Sequence, residues 1–252
     1  MLKNRLIPVL IHKDGMIVQS IQFRHTNVIG DAITAVEFFN IWAGDEIILL
    51  DVTRERGERD KFMEIISALS TKCFVPLTVG GWVDSLDDIS DILKNGADKI
   101  VINTGAFEHP DLISSSAERF GSQCIVVSID AKKNNLGQYE VFIDRGRKNT
   151  GVGPGEWAKQ AEERGAGEIF ITSIDHDGMG EGYDLELVRE ICGATTIPVI
   201  ASGGVREWQH LVDGIRKGNA HAVAAANIFH YMDQSLRKAK KYMLESGIDM
   251  RQ

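Results

Sequence analysis

Short apolar runs alternate with longer amphipathic segments along the whole chain, and this alternation constrains the fold more than any other feature. The segments between the runs, such as DAITAVEFFNIWA (31–43) and DKFMEIISALS (60–70), have the periodicity of helices. The runs themselves are rich in Val and Ile and predict strands. They are RLIPVLI (5–11), EIILLDV (46–52), VPLTV (75–79), KIVIN (99–103), CIVVSID (124–130), EIFITS (168–173), IPVIAS (197–202) and HAVAAA (221–226).

Strands that are apolar throughout and are joined by helices indicate a parallel sheet buried on both faces. Eight strand–helix units in 252 residues are the size of a (βα)8 TIM barrel. A doubly wound open sheet is the alternative. No Pro- or Ser-rich linker and no change of composition divides the chain, so we predict a single barrel domain over residues 1–252.

An internal repeat supports the barrel. VPLTVGGWVDS (75–85) resembles IPVIASGGVRE (197–207), and NGADKIVINTGAF (95–107) resembles GNAHAVAAANIFH (218–230) at nearly the same offset. The repeat predicts two duplicated half-barrels. At the same offset, slightly reduced by loop length, the strand that ends at Ile11 is the counterpart of the strand that ends at Asp130.

Composition limits the compartment and the partners. The net charge of −8 argues against nucleic acid as a partner, and no apolar run is long enough to cross a membrane or to serve as a signal peptide. Cys73, Cys124 and Cys192 are far apart and form no Cys-x-x-Cys, as is typical of a reducing compartment. We therefore predict a cytoplasmic protein with no membrane partner and no cofactor. His12, His176, His210 and His221 have no metal-ligand spacing, so we predict no metal.

In a barrel, the functional residues lie at the carboxyl ends of the strands. Three carboxylates at such ends, Asp51, Asp130 and Asp177, are candidates for general acid–base catalysis. Asp51 is equally well explained as the cap of a turn.

Other strand ends carry small or polar residues. Gly-Gly pairs follow strands three and seven, where free backbone amides near a helix start can bind phosphate. The repeat relates the two pairs, which suggests a long substrate with a phosphate at each end. Thr78 is read as one of these strand ends, and the candidate substrate-binding residues are Asn103, Thr104, Thr172, Ser202, Gly203, Gly204, Ala226 and Asn227.

The opposite ends of the strands carry four charges of alternating sign, Arg5, Glu46, Lys99 and Glu168. If these side chains point inward, they meet at the amino-terminal mouth of the barrel. They would then form either a salt-bridge plug or a gate.

Nearly the whole chain resembles the HisF family, the cyclase subunit of imidazole glycerol phosphate synthase. The resemblance is carried by GDEIILLDVT, PLTVGGWVDS, NGADKIVIN, FGSQCIVVSIDAKK, EIFITSIDHDGMGEGYDLEL and IPVIASGG. It implies a barrel that binds a glutaminase (HisH-like) subunit at the amino-terminal face and passes ammonia to the opposite face. It also implies that Arg5, Glu46, Lys99 and Glu168 form the ammonia gate. Asp130 would be one of two catalytic carboxylates, and Gly178 would join the phosphate-binding residues.

The sequence departs from the family at the substrate end. The other catalytic Asp of the family falls on Ile11, and a lysine that contacts the substrate falls on Gln19. The third glycine of the first phosphate site is Trp82. A Thr becomes Met179, and the Ser of the second site becomes Asn227.

Because a hydrocarbon cannot transfer a proton, these departures predict that the histidine-pathway reaction is lost. The resemblance then suggests a paralogue that uses channelled ammonia to aminate a phosphorylated or nucleotide-linked sugar. Such paralogues act in the biosynthesis of acetamidino sugars of surface polysaccharides. The alternatives are a true imidazole glycerol phosphate synthase subunit and a non-catalytic ammonia conduit.

Overall fold

Eight parallel strands close into a barrel in the computed structural model, which describes residues 3–35, 44–54, 59–231 and 236–251. Pairing between β7 and β10 closes the ring, so the alternative of an open doubly wound sheet is wrong. The fold is the predicted (βα)8 TIM barrel. The barrel strands are β1 (Arg5–Lys13), β4 (Ile47–Asp51), β5 (Leu77–Gly80), β6 (Lys99–Ile102), β7 (Ile125–Lys133), β10 (Glu168–Ser173), β11 (Val199–Ser202) and β12 (Ala222–Ala225).

Amphipathic helices cover the outer face of the barrel. Ser85 begins one of them by accepting a hydrogen bond from the Asp88 backbone N–H. Most of the predicted helix at 31–43 falls on residues 36–43, which lie outside the described part of the chain. The described helices are α1 (Arg59–Ser70), α2 (Leu86–Lys94), α3 (Thr104–Glu108), α4 (Asp111–Phe120), α5 (Pro154–Glu163), α6 (Leu185–Ala194), α7 (Trp208–Arg216), α8 (Ile228–Tyr231) and α9 (Leu236–Glu245).

Two antiparallel extensions follow the first and fifth barrel strands, and the sequence analysis did not predict them. β2 (Met16–Ile21) pairs with β1 and with β3 (His25–Gly30). β8 (Tyr139–Ile143) pairs with β7 and with β9 (Lys148–Asn149). An antiparallel extension thus follows the first strand of each half of the barrel, as expected for two related half-barrels. Both extensions continue the sheet beyond its carboxyl edge, where they wall the barrel mouth.

The apolar core has two layers, because alternate residues of a strand point to opposite faces. Inward-pointing residues, among them Ile7, Ile48, Val126 and Phe170, fill the barrel interior. Outward-pointing residues pack against the helices in a larger cluster that includes Leu10, Leu49 and Ile66. The inner cluster separates the two mouths of the barrel. Among the described helices, none is long and apolar enough to span a membrane.

Candidate active site at the carboxyl ends of the strands

A pocket of about 460 Å³ opens at the carboxyl ends of the barrel strands. Its walls are the strand ends, the two antiparallel extensions and the loops that follow β5, β10 and β11. The predicted catalytic and substrate-binding residues lie together in its lining, whereas Thr78, which was read as a strand end at this mouth, does not. They are Asp51, Asn103, Thr104, Asp130, Thr172, Asp177, Gly178, Ser202, Gly203, Gly204, Ala226 and Asn227.

Asp130 is the most perturbed carboxylate of the pocket. Burial and the nearby charge of Asp177 raise the pKa of Asp130 to about 7, although a hydrogen bond from Asn103 opposes the shift. Asn103 Nδ2 lies 3.1 Å from Asp130 Oδ2. A carboxyl group with a pKa near the working pH is suited to both giving and taking a proton. In the sheet register, Thr172 and then Ser202 lie beside Asp130 on the next two strands.

Asp177 is held by the first antiparallel extension. Ser20 Oγ donates a hydrogen bond of 2.6 Å to Asp177 Oδ2, and the Phe23 N–H donates to the same oxygen at 3.3 Å. Burial raises the pKa of Asp177, and the two hydrogen bonds limit the rise. The pocket therefore contains two buried carboxyl groups whose pKa values are raised. No sequence pattern predicts the contact between Asp177 and Ser20.

Asp51 has a different environment. Its carboxylate accepts hydrogen bonds from Trp82 Nε1 at 2.6 Å and from the Thr53 N–H at 2.9 Å, and it lies 3.2 Å from His12 Nδ1. Burial acts to raise the pKa of Asp51, but the hydrogen bonds outweigh it and lower the pKa. These contacts engage both carboxylate oxygens. Asp51 thus lines the pocket, but its hydrogen bonds join the loops around it, as expected if Asp51 caps a turn.

Ile11 lies where the counterpart of Asp130 was expected. Its side chain lines the pocket and packs against the inner apolar cluster, and Leu50 is its partner on β4. Gln19 is paired with Asn27 between β2 and β3 and lies outside the pocket lining, whereas the adjacent Ser20 lies within it. One half of the mouth therefore carries hydrocarbon where the other half carries the perturbed acid.

The loop after β11 has the backbone of an anion site. Gly203 and Gly204 have φ of +96° and +94°. A Cβ on Gly204 would lie 2.2 Å from the Gly182 carbonyl oxygen, so only glycine fits there. Gly178 has φ of +73° and a similar restriction against Ser20. Successive backbone N–H groups in such a loop form a concave site for a phosphate.

Asn227 lies beside this loop with an unused hydrogen-bonding atom. Its Oδ1 is buried and has no hydrogen-bond partner among the described residues. Buried polar atoms in proteins are nearly always paired, so a ligand is the natural partner. Rotation of the amide would instead present Nδ2 as a donor to a phosphate oxygen.

Replacing Asn227 with alanine is expected to weaken the binding of inorganic phosphate about tenfold, the effect of one lost hydrogen bond to a charged group. Isothermal titration calorimetry measures the change. Asn135→Ala, in an exposed turn, is the control and should bind phosphate as the unmodified protein does. Unchanged affinity of Asn227→Ala would exclude the amide from the site.

Four cationic side chains line the pocket, three from the first half of the chain and Arg145 from the second. Lys13 Nζ donates to Thr26 Oγ1 at 3.0 Å, and the Arg145 guanidinium lies over the Trp82 ring. Arg24 and Arg54 are exposed on the rim. The pocket thus offers an anion backbone amides at Gly203–Gly204 and side-chain charges that come from both halves of the chain.

The four charges at the amino-terminal mouth form a closed ring. Arg5 Nη1 lies 2.8 Å from Glu46 and 3.1 Å from Glu168, and Lys99 Nζ lies 3.0 Å and 3.3 Å from the same carboxylates. Burial acts to lower the pKa of Arg5, but Glu168 and Glu46 outweigh it and raise the pKa. All four side chains are largely buried, and each cation contacts both anions.

Thr78 belongs to this ring and not to the pocket. Its Oγ1 donates a hydrogen bond of 2.6 Å to Glu46 Oε1, and its register partner on β6 is Lys99. The assignment of Thr78 to the functional end of its strand was wrong, because β5 continues for two residues beyond it to Gly80.

In the described part of the chain, no group of three or more His, Cys, Asp or Glu side chains is arranged to hold a metal ion. The three cysteines are free and partly buried.

One comparison with known families bears on the pocket and the ring. The family model described as "Histidine biosynthesis protein" matches residues 5–235. The match begins at the first residue of β1 and includes all eight barrel strands, both antiparallel extensions and the pocket. The matched region therefore contains all strands of the barrel and the pocket at their carboxyl ends. The chain belongs to the histidine biosynthesis protein family.

Proposed function

We propose that this chain is a diverged, HisF-like synthase subunit of a glutamine amidotransferase. It receives ammonia from a glutaminase subunit docked at the amino-terminal face. It uses the ammonia at the opposite face to aminate a phosphorylated or nucleotide-linked sugar, in the formation of an acetamidino sugar. The observation that carries the proposal is the pairing of two features on one barrel axis. A closed ring of four charges lies at one end, and a pocket with a proton-transferring carboxyl group, Asp130, lies at the other.

The ring and the interior suit ammonia better than ammonium. Glu46 and Glu168 at the entrance are each paired with both Arg5 and Lys99, so neither carboxylate is left to hold an ammonium ion by itself. Beyond the ring, the interior is lined by apolar side chains, including the small residues Ala222 and Ala224. Transfer of an unpaired cation from water into this interior has a large desolvation free energy, whereas transfer of a neutral molecule has a far smaller one.

Asp130 has the protonation behaviour that amination requires. With a pKa of about 7, the carboxyl group holds a proton on a large fraction of molecules at neutral pH. It can give this proton to an oxygen that leaves the acceptor carbon as ammonia adds. Asp177, also buried, lies near enough to contribute to that raised pKa.

Two alternatives are separated by particular residues. Ile11 in the pocket argues against a true imidazole glycerol phosphate synthase subunit, because a hydrocarbon cannot serve as the second acid or base. Asp130 argues against a non-catalytic conduit, because a passage for ammonia has no need of a buried carboxyl group. A conduit would tolerate Asp130→Asn without loss of amination by another subunit.

The proposal is tested by measuring whether ammonia released from glutamine reaches the product without mixing with ammonium in solution. In an extract that forms the acetamidino sugar, glutamine labelled with ¹⁵N at the amide is supplied together with excess unlabelled ammonium. The unmodified barrel should place mostly ¹⁵N in the product. Lys99→Met should dilute the label several-fold, because the carboxylates of Glu46 and Glu168 lose one of their two cations and the mouth rearranges.

Lys159→Met, on the exposed face of α5, is the control and should leave the label undiluted. If Lys99→Met leaves both the ¹⁵N content of the product and the association with the glutaminase unchanged, the ring only stabilises the barrel. If the unmodified barrel places no ¹⁵N in the product, the proposed function fails.

A further inference from the structure

The first half of the pocket mouth carries a side chain where a phosphate site needs bare backbone. Trp82 has φ of +60°, in the left-handed region that favours glycine. The loop after β5 has thus kept a glycine-like backbone while acquiring an indole. That indole donates its Nε1 hydrogen to Asp51 at 2.6 Å, so its position is held by a charge-assisted hydrogen bond.

The turn between β8 and β9 is attached over the same half. The Asp144 N–H donates to Thr104 Oγ1 at 3.0 Å, which occupies the hydroxyl group predicted to bind substrate. Arg145 donates to the Thr53 carbonyl oxygen, and its guanidinium carbon lies 5.6 Å from the centroid of the Trp82 ring. The groups of the first half are therefore bound to one another.

In the second half of the mouth, the first antiparallel extension is attached to Asp177 through Ser20 and Phe23, and Gly204 occupies the position that corresponds to Trp82. Gly203 and Gly204 keep their glycine backbone, and Asn227 Oδ1 is without a partner among the described residues. The two halves began from the same pattern, as the matching Gly-Gly segments show. They now differ in whether a phosphate can reach the backbone.

We propose that Trp82 and Arg145 are specificity-determining residues that admit ligands with a single anionic group. That group, a phosphate, binds at Gly203–Gly204, and the part of the ligand that meets Trp82 is uncharged. This inference rests on the proposed function for the reaction, but it concerns binding alone.

Electrostatics favours the same assignment. A phosphate against the Trp82 loop would lie beside the Asp51 carboxylate, whose negative charge repels it. The Arg145 guanidinium, which could offset this repulsion, already bonds to Thr53 and lies 3.7 Å from the Asp144 carboxylate. Arg24 and Arg54 on the rim are exposed. Contacts between exposed charges are weak and screened by salt.

The test is the stoichiometry of inorganic phosphate, measured by calorimetry at moderate salt. The unmodified protein should bind one phosphate per chain. Trp82→Gly should bind a second phosphate, because glycine adopts the existing backbone without strain and uncovers the amides. This second phosphate should bind more weakly than the first, because the Asp51 carboxylate remains beside it. Arg147→Ala, in the same turn but outside the pocket lining, is the control and should bind one.

An NMR titration locates the anion. Phosphate should shift the amide resonances of Gly203 and Gly204 and leave the indole N–H resonance of Trp82 unmoved. Two equivalents bound by the unmodified protein, a shift of the Trp82 indole, or one equivalent bound by folded Trp82→Gly would each overturn the inference. Because no ammonia or glutaminase is present, these outcomes are independent of the channelling test.

Discussion

Formation of imidazole glycerol phosphate by this protein, under saturating ammonium, is expected to be slower by ~10²–10⁴ than that of a barrel with both acids, the usual effect of losing a general acid or base. The reason is the side chain of Ile11. It lines the same pocket as Asp130 and packs against the inner apolar cluster. It can neither take a proton from the substrate nor return one.

The matched variants are Ile11→Asp and Ile11→Asn, which have nearly the same size and differ in the ability to transfer a proton. Ile11→Asp should raise the rate above that of the unmodified protein, whereas Ile11→Asn should not. Recovery should be incomplete, because Trp82 still occupies the first phosphate position. Product is measured by its absorbance or by mass spectrometry with the histidine-pathway substrate. Robust activity of the unmodified protein would falsify the assignment as a diverged paralogue.

Asp130→Asn is expected to stabilise the protein above pH 7 while abolishing its chemistry. Burial and Asp177 raise the pKa of Asp130 from 3.8 to about 7 in the folded state. The folded state therefore holds a proton that the unfolded state has already lost between about pH 4 and pH 7. The contribution of the Asp130 carboxyl group to the free energy of unfolding is fully present below pH 4 and is lost as the pH rises to about 7. The total loss is on the order of 4 kcal/mol at 1.36 kcal/mol per pKa unit.

Asparagine removes this loss because it is neutral at every pH and its Oδ1 can still accept from Asn103 Nδ2. Urea unfolding of the two proteins should therefore agree near pH 4 and diverge progressively up to pH 7, with the variant more stable. Asp87→Asn, which changes an exposed carboxylate, is the control and should show no such divergence. Equal stability of Asp130→Asn and the unmodified protein at pH 8 would mean that Asp130 is ionised without cost.

Amination is the second measurement on Asp130→Asn. Its rate should fall by ~10²–10⁴ if the carboxyl group transfers a proton to the acceptor. A stabilised variant with unchanged amination would support the conduit alternative. A functional group that costs stability is common in active sites, where the environment is arranged for chemistry and not for the resting state.

The structure contains several contacts that no periodicity could predict. Ser20 reaches Asp177 from 157 positions away in the sequence. Asn103 reaches Asp130 from the preceding barrel strand. Arg145 covers Trp82 from an antiparallel extension that was not predicted at all. The alternating segment MIVQSI and the run YEVFI were signals for the extra strands, but each is short.

The sequence by itself determined the barrel, the polarity of its two ends and the position of Ile11. Alternation of strands and helices decides which end of each strand faces the mouth, so a residue at a strand end can be placed by counting along the chain. Only the tertiary structure decided how those residues are used. It placed Asp51 and Trp82 in one hydrogen bond, and it assigned Thr78 to the charged ring. The raised pKa of Asp130 also depends on the folded chain, because burial and neighbouring charge are properties of a closed barrel and not of any segment within it.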